Sequence, residues 1–513
     1  MQDGRSVVVI GAGIGGIATA ALLARAGFAV TVVEKNAQPG GRCGQLIRDG
    51  HRFDIGPTLF LMPEVVAATY AALGERMDDH LDLRRIDPTY HIHFADGQQL
   101  ALTPDLIALQ AQLEALEPGS FGGLLRYLAE GQRHYQLALK HFVGRNFSSL
   151  LDYFSPGNLP YLFALKALVK HYDNVGHYFG DPRLRAAFTF QNMYLGLSPY
   201  DAPATYSLLQ YTELADGVWF PLGGMYRLVE SLVAIATRLG VRFRFDAPVA
   251  QITVSDDRAS GVQLGDGAWL PADVVVANAD LPYVYRDLLP ASSQAERLER
   301  LQYTSSAIMF YWGLDKVYPQ LGPHNVFLAD DYRGSFERIF RDHTLPNVPS
   351  FYIHAPARID PAAAPAGEET LMALAPVGHL DAAAGQDWAA LRARARAAIL
   401  ARLARLGAAD VAEHLKFEVG YTPCDWQSRF HLAKGAAFGL SHTFGQVGYL
   451  RPQNQHRRYR NLYFVGASTH PGTGLPMVLI SARLTTERIC NDRNTRRTVS
   501  SLHTTVARHP VGF

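Results

Sequence analysis

Residues 6–34, SVVVIGAGIGGIATAALLARAGFAVTVVE, decide the fold of this chain. Two β-branched runs flank a glycine-rich turn and an Ala/Leu-rich helix, and the second run ends in Glu34. Gly11 permits the tight turn, Gly13 lets the backbone approach a pyrophosphate, and Gly16 lets the helix pack against the strand. The helix N terminus then offers free N–H groups to phosphates. The stretch therefore predicts a β-α-β unit that binds a dinucleotide.

The segment after the acid adds a second glycine turn. Glu34 follows Gly16 by 18 residues, which suits hydrogen bonds to ribose hydroxyls and would repel a 2′-phosphate, so NADP is disfavoured. Gly40, Gly41 and Arg42 follow almost at once in the run QPGGR. An arginine on this second turn can place a cation against a diphosphate that the first turn already holds. A hydride-exchanging NAD site gains little from such a cation.

Composition limits the class of protein. The chain has 513 residues, enough for about three domains or one large elaborated unit. With 48% apolar and 19% charged residues it is not a disordered chain. The net charge of +1 gives no sign of a basic face, so we expect no nucleic-acid partner. Cys43, Cys424 and Cys490 lie far apart without metal-ligand spacing, so we expect no metal site.

No segment predicts passage through a membrane. The N terminus, MQDGRSVVVIGAG, lacks the basic and apolar regions of a signal peptide. No stretch reaches about 18 apolar residues without a charge, so we expect neither a signal peptide nor a transmembrane helix. The pattern favours a cytoplasmic location and leaves contact with a membrane surface open.

Four later segments extend the pattern. Residues 219–240 predict a glycine-rich turn followed by an amphipathic helix, and 241–280 predict a hairpin or meander of strands. Residues 387–407 predict a helix whose arginines form a solvated face. Residues 461–489, NLYFVGASTHPGTGLPMVLISARLTTERI, predict strand, loop and helix. The N terminus of this last helix can stabilise negative charge on a bound cofactor.

Four stretches together resemble the carotenoid desaturase family, within the flavin amine oxidase superfamily. They are VVVIGAGIGGIATAALLARAGFAVTVVEKNAQPGGR, FDIGPT, MYLGLSPYDAPATYSLLQYTELADGVWFPLGGMYRLVESL and NLYFVGASTHPGTGLP. The first is shared by many flavin enzymes, whereas the third and the THPG loop are more specific. The resemblance implies an FAD cofactor. It also implies desaturation of a C40 carotenoid precursor, phytoene towards neurosporene or lycopene, by hydride transfer to flavin N5 and loss of a proton.

The resemblance also implies the fold class, an α/β protein made of interleaved regions. They are a discontinuous Rossmann-type FAD-binding domain (1–75, 225–300 and 455–492), a mixed-sheet substrate domain (76–110 and 301–454) and a helical lobe that contacts the membrane (111–224). Residues 493–513 carry four arginines and no acid, and we expect them to form a disordered basic tail.

Carried over by position, the resemblance assigns cofactor contacts to both ends of the chain. The ADP half of FAD would lie against the two glycine turns, and the flavin against the GASTHPG loop. Asn278, Ala279 and Asp280 match a loop behind the flavin. The superfamily usually has an acid where Ala467 stands, so a backbone contact is expected there. The residues assigned to cofactor binding are Gly11, Gly13, Gly16, Glu34, Gly40, Gly41, Arg42, Val249, Gly466, Ala467 and Thr469.

The expected chemistry needs only a weak base. One hydrogen leaves with its electron pair for the flavin and a second leaves as a proton, while the polyene delocalises the developing cation. His470, on the flavin loop, is one catalytic candidate, and the alternative is a structural histidine. Asp152 in LLDYFSP matches an acidic position near the substrate in relatives, although Ser155 replaces a nearby arginine. The alternative for Asp152 is a solvated helix end.

Residues 121–200 are unusually aromatic. They hold 16 Phe, Tyr and Trp in 80 residues, against 11% for the whole chain, and eight Lys/Arg against four Asp/Glu. This mixture suits a monotopic patch on a membrane surface, from which a hydrophobic carotenoid would enter. A helical domain with an aromatic core is the alternative. Oxygen or a membrane quinone is the expected electron acceptor, because no second dinucleotide fingerprint is present.

Other activities of the same superfamily stay open. A related desaturase would act on a C30 diapophytoene or a hydroxycarotenoid. An amine oxidase is disfavoured by the middle segment of the resemblance. A non-catalytic carrier of prenylated proteins is disfavoured by the intact glycine turns and Glu34.

Overall fold

A computed structural model describes residues 4–147 and 149–491, so the predicted tail 493–513 lies outside the described residues. In chain order the strands are β1 (Ser6–Ile10), β2 (Ala29–Val33), β3 (Gln45–Arg48), β4 (His51–Asp54), β5 (Leu83–Arg85), β6 (Tyr90–His93), β7 (Gln99–Leu102), β8 (Trp219–Pro221), β9 (Arg242–Arg244), β10 (Val249–Ser255), β11 (Arg258–Leu264), β12 (Trp269–Pro271), β13 (Val274–Ala277), β14 (Ser306–Leu314), β15 (His324–Phe327), β16 (Phe351–His354), β17 (Glu369–Val377), β18 (Leu415–Tyr421) and β19 (Leu462–Phe464).

The α-helices lie between these strands singly or in runs, and short 3-10 and π turns join several of them. In chain order they are α1 (Ile14–Arg25), α2 (Pro63–Leu73), α3 (Leu106–Leu116), α4 (Ser120–Ala138), α5 (Leu150–Tyr153), α6 (Leu159–Ala164), α7 (His171–Val175), α8 (Pro182–Ala187), α9 (Ser207–Tyr211), α10 (Tyr226–Arg238), α11 (Leu281–Tyr283), α12 (Ser293–Glu299), α13 (Tyr332–Phe340), α14 (Trp388–Arg405), α15 (Pro423–Phe430) and α16 (Leu475–Asn491).

A five-stranded parallel sheet has the order β19-β13-β1-β2-β9, so its strands come from widely separated parts of the chain. Helices α1, α10 and α16 cover one face, and the antiparallel meander β10-β11-β12 packs on the other. The strand order reverses at β1, because β2 lies on one side of it and β13 on the other. Ligands of open α/β sheets bind at such a switch point, beyond the carboxyl ends of the strands.

The first glycine turn sets how closely α1 approaches β1. A Cβ on Gly16 would lie 2.1 Å from the carbonyl oxygen of Gly11, so no side chain fits there. Gly11 itself has φ +95°, a left-handed conformation that glycine adopts without steric cost. A Cβ on Gly13 would lie 2.8 Å from Nδ2 of Asn278, in the loop after β13. The turn is therefore closed in by backbone on one side and by an amide on the other.

A seven-stranded sheet has the order β18-β14-β17-β16-β15-β6-β7, antiparallel except for the parallel pair β15 and β6. Helix α14 packs Leu391, Ala395 and Ile399 on one face of it. Helices α3 to α9 follow β7 in the chain, and Leu124 and Tyr127 of α4 pack against β6 and β7. The combination of a parallel sheet, a mixed sheet and a helical segment confirms the predicted α/β fold class.

Helix α14 corrects one prediction. Its arginines do not all form a solvated face, because Arg392 and Arg396 bind the carboxylate of Glu418 at 2.8 and 2.7 Å. Glu418 lies on β18, at the edge of the mixed sheet. The periodicity of a helix shows which residues share a face, but it does not show that a distant strand brings an acid to that face.

Residues 4–147 and 149–491 contain neither a membrane-spanning helix nor a metal-binding cluster. No helix there combines the length and apolar character needed to cross a bilayer. Within the same ranges no cluster of three or more His, Cys, Asp or Glu side chains could bind a metal ion.

The glycine packing gives a first test. Gly16→Ala places a methyl group against the Gly11 carbonyl, so α1 must shift away from β1. We expect the free energy of unfolding to fall by about 1–3 kcal/mol, the usual cost of overpacking, and thermal unfolding of the apoprotein to occur at a lower temperature. Gly157→Ala is the matched control, because a Cβ there meets no atom within 4 Å. Equal unfolding temperatures for the two variants would contradict this packing.

Candidate active site

A cavity of about 480 Å³ opens at the switch point and extends to the mixed sheet. One half is bounded by the glycine turns and by all of its charged lining, and the other half by large apolar and aromatic side chains. The charged residues among its described lining are Glu34, Lys35, Arg42, Asp280 and Arg429. The apolar half includes Phe190, Met193, Val326, Leu328, Phe336, Ile339, Phe351 and Met372.

The two glycine turns lie side by side along the charged half. The N–H of Gly40 donates to the carbonyl of Ala12 at 2.8 Å, and Gly40 pairs with Gly13 as an isolated bridge. Gly40 and Gly41 have φ +109° and +55°. The turns therefore present backbone to the cavity, and a pyrophosphate can approach the N–H groups at the N terminus of α1.

Glu34 directly follows β2 and is 6% exposed. Its Oε2 accepts from the N–H of Ala12 at 2.8 Å, and its Oε1 accepts from the N–H of Asn36 at 2.9 Å. These bonds hold the carboxylate beside the first glycine turn, and an ionised carboxylate has further lone pairs for ribose hydroxyls. Val249 also lines this half of the cavity, where the resemblance places an adenine contact.

Arg42 and Asp280 are partly buried charges of opposite sign in the cavity wall. Arg42 donates to the carbonyl of Ala437 at 2.8 Å. Asp280 accepts from the N–H of Ala433 at 3.0 Å and from the hydroxyl of Ser468. Burial raises the pKa of Asp280 and lowers the pKa of Arg42, and each charge opposes the shift of the other. The pair therefore keeps a cation in the wall and links the second glycine turn to the C-terminal loop.

Arg451 fixes the C-terminal loop, and sequence reasoning missed it. It is 1% exposed and donates to the carbonyls of Ala467 at 2.5 Å and Thr469 at 3.0 Å. Burial lowers the pKa of Arg451 to about 10, so the guanidinium stays charged at neutral pH. A single arginine in GYLRPQ gives no signal of this role, because only the fold gathers its partners. Its other acceptors are the carbonyls of Leu440, Ser441 and Gln446.

The loop that Arg451 holds reaches the cavity with only part of its predicted contacts. Gly466, with φ +122°, and Ala467 line the cavity. Thr469 does not line it, because its hydroxyl turns back to donate to the carbonyl of Gly466 at 2.9 Å. Gly16 does not line it either, since its place is against the backbone of the first turn. Neither residue therefore contacts the cavity directly.

The structure does not bring the two predicted catalytic residues to the cavity. His470 is 2% exposed, and its Nε2 lies 3.1 Å from the carbonyl of Arg145. Burial lowers the pKa of His470 to about 4, so it is neutral. Asp152 pairs with Arg145 at 2.9 Å in the helical segment. Neither residue lines the cavity, so their catalytic roles stay predictions that these positions do not support.

The residues present fit the predicted FAD. The glycine turns form a cradle without side chains, and the crowded positions around Gly13 and Gly16 have no room for one. Glu34 and Val249 stand at the end that suits adenosine, and the start of α16 with Gly466 stands at the end that suits a flavin ring. A cofactor with two nucleotide-like ends matches this elongated, two-ended site.

The hydrogen bonds from Arg451 hold the C-terminal loop at the cavity, so we predict that FAD binding weakens when the Arg451 side chain is replaced. Arg451→Met leaves buried carbonyl oxygens without donors, at a cost of about 1–3 kcal/mol for each group. We expect the apoprotein to bind FAD at least about 10-fold more weakly in a fluorescence titration. Arg451→Lys keeps the charge but has fewer hydrogen-bond donors, so its affinity for FAD should lie between those of the wild type and Arg451→Met. Arg457→Met changes an exposed arginine nearby and serves as the control. If Arg451→Met bound FAD with wild-type affinity, the proposed role of Arg451 in holding the loop would be contradicted.

Solved structures with this fold are oxidoreductases and related enzymes. Putrescine oxidase bound to putrescine aligns over 94% of this chain and 98% of its own, with a TM-score of 0.63 at 17% identity. A fatty acid isomerase from P. acnes aligns over 95% and 99%, with a TM-score of 0.58 at 16% identity. At these identities the likeness shows the fold alone.

Curated relatives are much more similar in sequence. A zeta-carotene-forming phytoene desaturase of Myxococcus xanthus is 48% identical over 95% of this chain and 94% of its own. A phytoene desaturase of Fusarium fujikuroi is 43% identical, covering 95% and 90%. A 4,4'-diapophytoene desaturase of Staphylococcus aureus is 35% identical, covering 95% and 99%. The model of the flavin containing amine oxidoreductases matches residues 14–490, and this chain belongs to that family, with FAD as its cofactor.

Proposed function

We propose that this chain is an FAD-dependent desaturase that acts on a C40 polyene precursor, phytoene, towards neurosporene or lycopene. The observation that carries the proposal is the cavity itself, in which a glycine-lined cofactor half continues into an apolar half without a charged side chain among its described lining. A hydrocarbon fits such a half, because burial of apolar surface is its main source of binding energy. The identity of 48% to a phytoene desaturase supports the same substrate class.

The chain's own residues bind and orient in this reaction. Bound FAD supplies an acceptor for a hydrogen with its electron pair. The two glycine turns and Glu34 would hold the ADP half, and Arg42 would face the diphosphate. The loop at Gly466 and Ala467, held by Arg451, would set the flavin against the apolar half. Large side chains around that half would exclude water. The proton needs only a weak acceptor, because a C–H bond beside a carbocation is strongly acidic.

The alternative functions differ in the side chains that must line the cavity. A C30 diapophytoene desaturase would have the same apolar half, and a relative with that activity is 35% identical. Chain length would then depend on the depth of the cavity. An amine oxidase needs polar or aromatic contacts for an amine, and the relatives with 43–48% identity are desaturases rather than amine oxidases. A protein carrier without cofactor has no use for the cradle of glycines.

The substrate proposal is tested by the products formed in cells. Expression in a host that accumulates phytoene should yield neurosporene, lycopene or a partly desaturated intermediate, recognised by its absorption spectrum. A host that accumulates 4,4'-diapophytoene serves as the parallel test of the C30 alternative. Unchanged phytoene together with desaturated C30 product would overturn the C40 proposal, and no change in either host would overturn desaturation.

We also propose that residues 150–169 rest on the membrane from which the substrate enters. Leu151, Phe163 and Leu168 are 84%, 75% and 71% exposed, and six of the thirteen exposed large apolar residues in the described part of the chain fall within this segment. They lie on α5, on α6 and just after α6, above a small core that contains Phe142 and Tyr153. A concentration of exposed apolar side chains in one short segment is typical of an interface with a membrane or partner.

Charge supports a lipid surface as the partner of residues 150–169. Residues 121–200 carry eight Lys/Arg against four Asp/Glu, which favours anionic headgroups. Such a peripheral enzyme would face the cytoplasmic leaflet and pass its electrons to a membrane quinone or to oxygen.

The membrane proposal predicts a specific loss of vesicle binding. The triple variant Leu151→Ser, Phe163→Ser, Leu168→Ser should co-sediment with phosphatidylcholine/phosphatidylglycerol vesicles at least about 10-fold more weakly, because each apolar side chain contributes about 1.5–3 kcal/mol when buried. The double variant Ile47→Ser, Val348→Ser is the control, since those side chains are 66% and 59% exposed elsewhere in the chain. Equal loss in both variants, or none in either, would contradict the assignment.

A further inference from the structure

A hydrogen-bonded chain of three side chains leads from the cavity into the protein, and the cavity's described lining also includes the hydroxyl residues Tyr332, Ser335 and Ser350. Thr58 Oγ1 lies 2.8 Å from the hydroxyl of Tyr352, and both residues line the cavity. The same hydroxyl lies 2.6 Å from Nδ1 of His324. Thr58 is 5% exposed and His324 is fully buried. A cavity for a hydrocarbon needs no hydrogen bonds of its own, so this chain of three side chains calls for another role.

The hydrogen-bonded series Thr58–Tyr352–His324 begins where the two halves of the cavity meet. Thr58 ends the FDIGPT segment, in which a Cβ on Gly56 would lie 2.3 Å from the carbonyl of Arg42. Arg42 is the predicted diphosphate contact, so this segment is held against the cofactor half. Tyr352 lies on β16 of the mixed sheet, which forms the wall of the apolar half. The hydroxyl pair therefore stands at the boundary between cofactor and substrate.

His324 offers a place for a proton. It begins β15, lies opposite His354 in the sheet register, and its ring stacks on that of His354 at 4.7 Å. Its Nε2 has no hydrogen-bond partner among the described residues. Burial and the neighbouring His354 and His91 lower its pKa well below the usual value, so the ring is neutral; with the Tyr352 phenol donating to Nδ1, the lone pair is on Nδ1 and the hydrogen is on Nε2. The carbocation formed beside a polyene gives up a proton even to a weak base. A neutral imidazole is a much stronger base than this step requires.

We propose that Tyr352 is the residue that accepts the proton in the desaturation, and that His324 takes up the proton that Tyr352 releases. This rests on the proposed function. One substrate carbon loses hydrogen with its electron pair to the oxidised cofactor. The adjacent carbon loses a proton to the oxygen of Tyr352 while the phenol proton moves to Nδ1 of His324. The electron pair of the second C–H bond becomes the new C=C bond. Tyr352 is thus unchanged, His324 is protonated, and the cofactor has gained two electrons.

Tyr352→Phe tests the proposal, because it removes one oxygen and keeps the ring. Holoenzyme and phytoene-loaded vesicles are mixed without oxygen, and the rate of flavin reduction is followed by absorbance. We expect the rate to fall about 100-fold or more, the usual contribution of a positioned acid or base. FAD affinity of the apoprotein and the half-saturating phytoene concentration should stay within about 2-fold of wild type, because neither depends on proton transfer.

Tyr127→Phe is the matched control. Its hydroxyl lies 2.7 Å from Nε2 of His171 in a fully buried tyrosine–histidine pair, and neither residue lines the cavity. This variant should reduce flavin at the wild-type rate even if its unfolding temperature falls. Equal rates in Tyr352→Phe and wild type would overturn the proposal. A wild-type enzyme that phytoene does not reduce would instead overturn the proposed function, so the two failures are distinguishable.

His324→Asn separates proton uptake from positioning. Its side-chain oxygen can accept a hydrogen bond near the place of Nδ1 but cannot take up a proton at neutral pH. We expect a rate as low as in Tyr352→Phe, whereas a wild-type rate would show that His324 merely orients the phenol and would overturn its part of the proposal. In apoprotein labelled with ¹⁵N-histidine, Tyr352→Phe should shift the Nδ1 resonance of His324, identified as one of the two ring resonances that His324→Asn removes. An unshifted resonance would contradict the hydrogen bond itself.

Discussion

The close approach of backbone to backbone at the first glycine turn governs the rest of this molecule. At Gly16 not even a methyl group fits, and at Gly13 the neighbour is Asn278 from the loop after β13. These contacts join the start of the chain to its middle, and the parallel pairing of β13 with β19 adds the C-terminal segment. The cofactor site therefore exists only when three distant parts of the chain have assembled, and its cradle is made of backbone because nothing larger can enter.

Buried charge completes what close packing begins. Arg451 supplies donors to the carbonyls of a loop that forms no regular structure, and Asp280 ties the same loop to Ala433 and, through charge, to Arg42. Buried polar groups of a loop must find partners, and here charged side chains provide them. The result is a charged half held by hydrogen bonds beside an apolar half, which suits a bound cofactor and a hydrocarbon substrate.

The sequence predicted the parts of the site that depend on local pattern. The turn at Gly11 to Gly16, the acid at residue 34 and the strand–loop–helix at 461–489 can be recognised because each is a short run with its own steric logic. Arg451, Tyr352 and His324 could not be found in this way, since an isolated arginine, tyrosine or histidine becomes meaningful only when the fold gathers its partners. His470 was singled out for its place on the flavin loop, but its ring turns away to the carbonyl of Arg145.

The central claim is that the two halves of one cavity bring a polyene and FAD together for hydride transfer. Its most direct measurement is the flavin spectrum after the oxygen-free holoenzyme is mixed with phytoene-loaded vesicles or with putrescine. The account predicts that phytoene bleaches the oxidised flavin and yields one new double bond for each flavin reduced, while putrescine leaves the spectrum unchanged. A flavin that putrescine reduces and phytoene does not would contradict it.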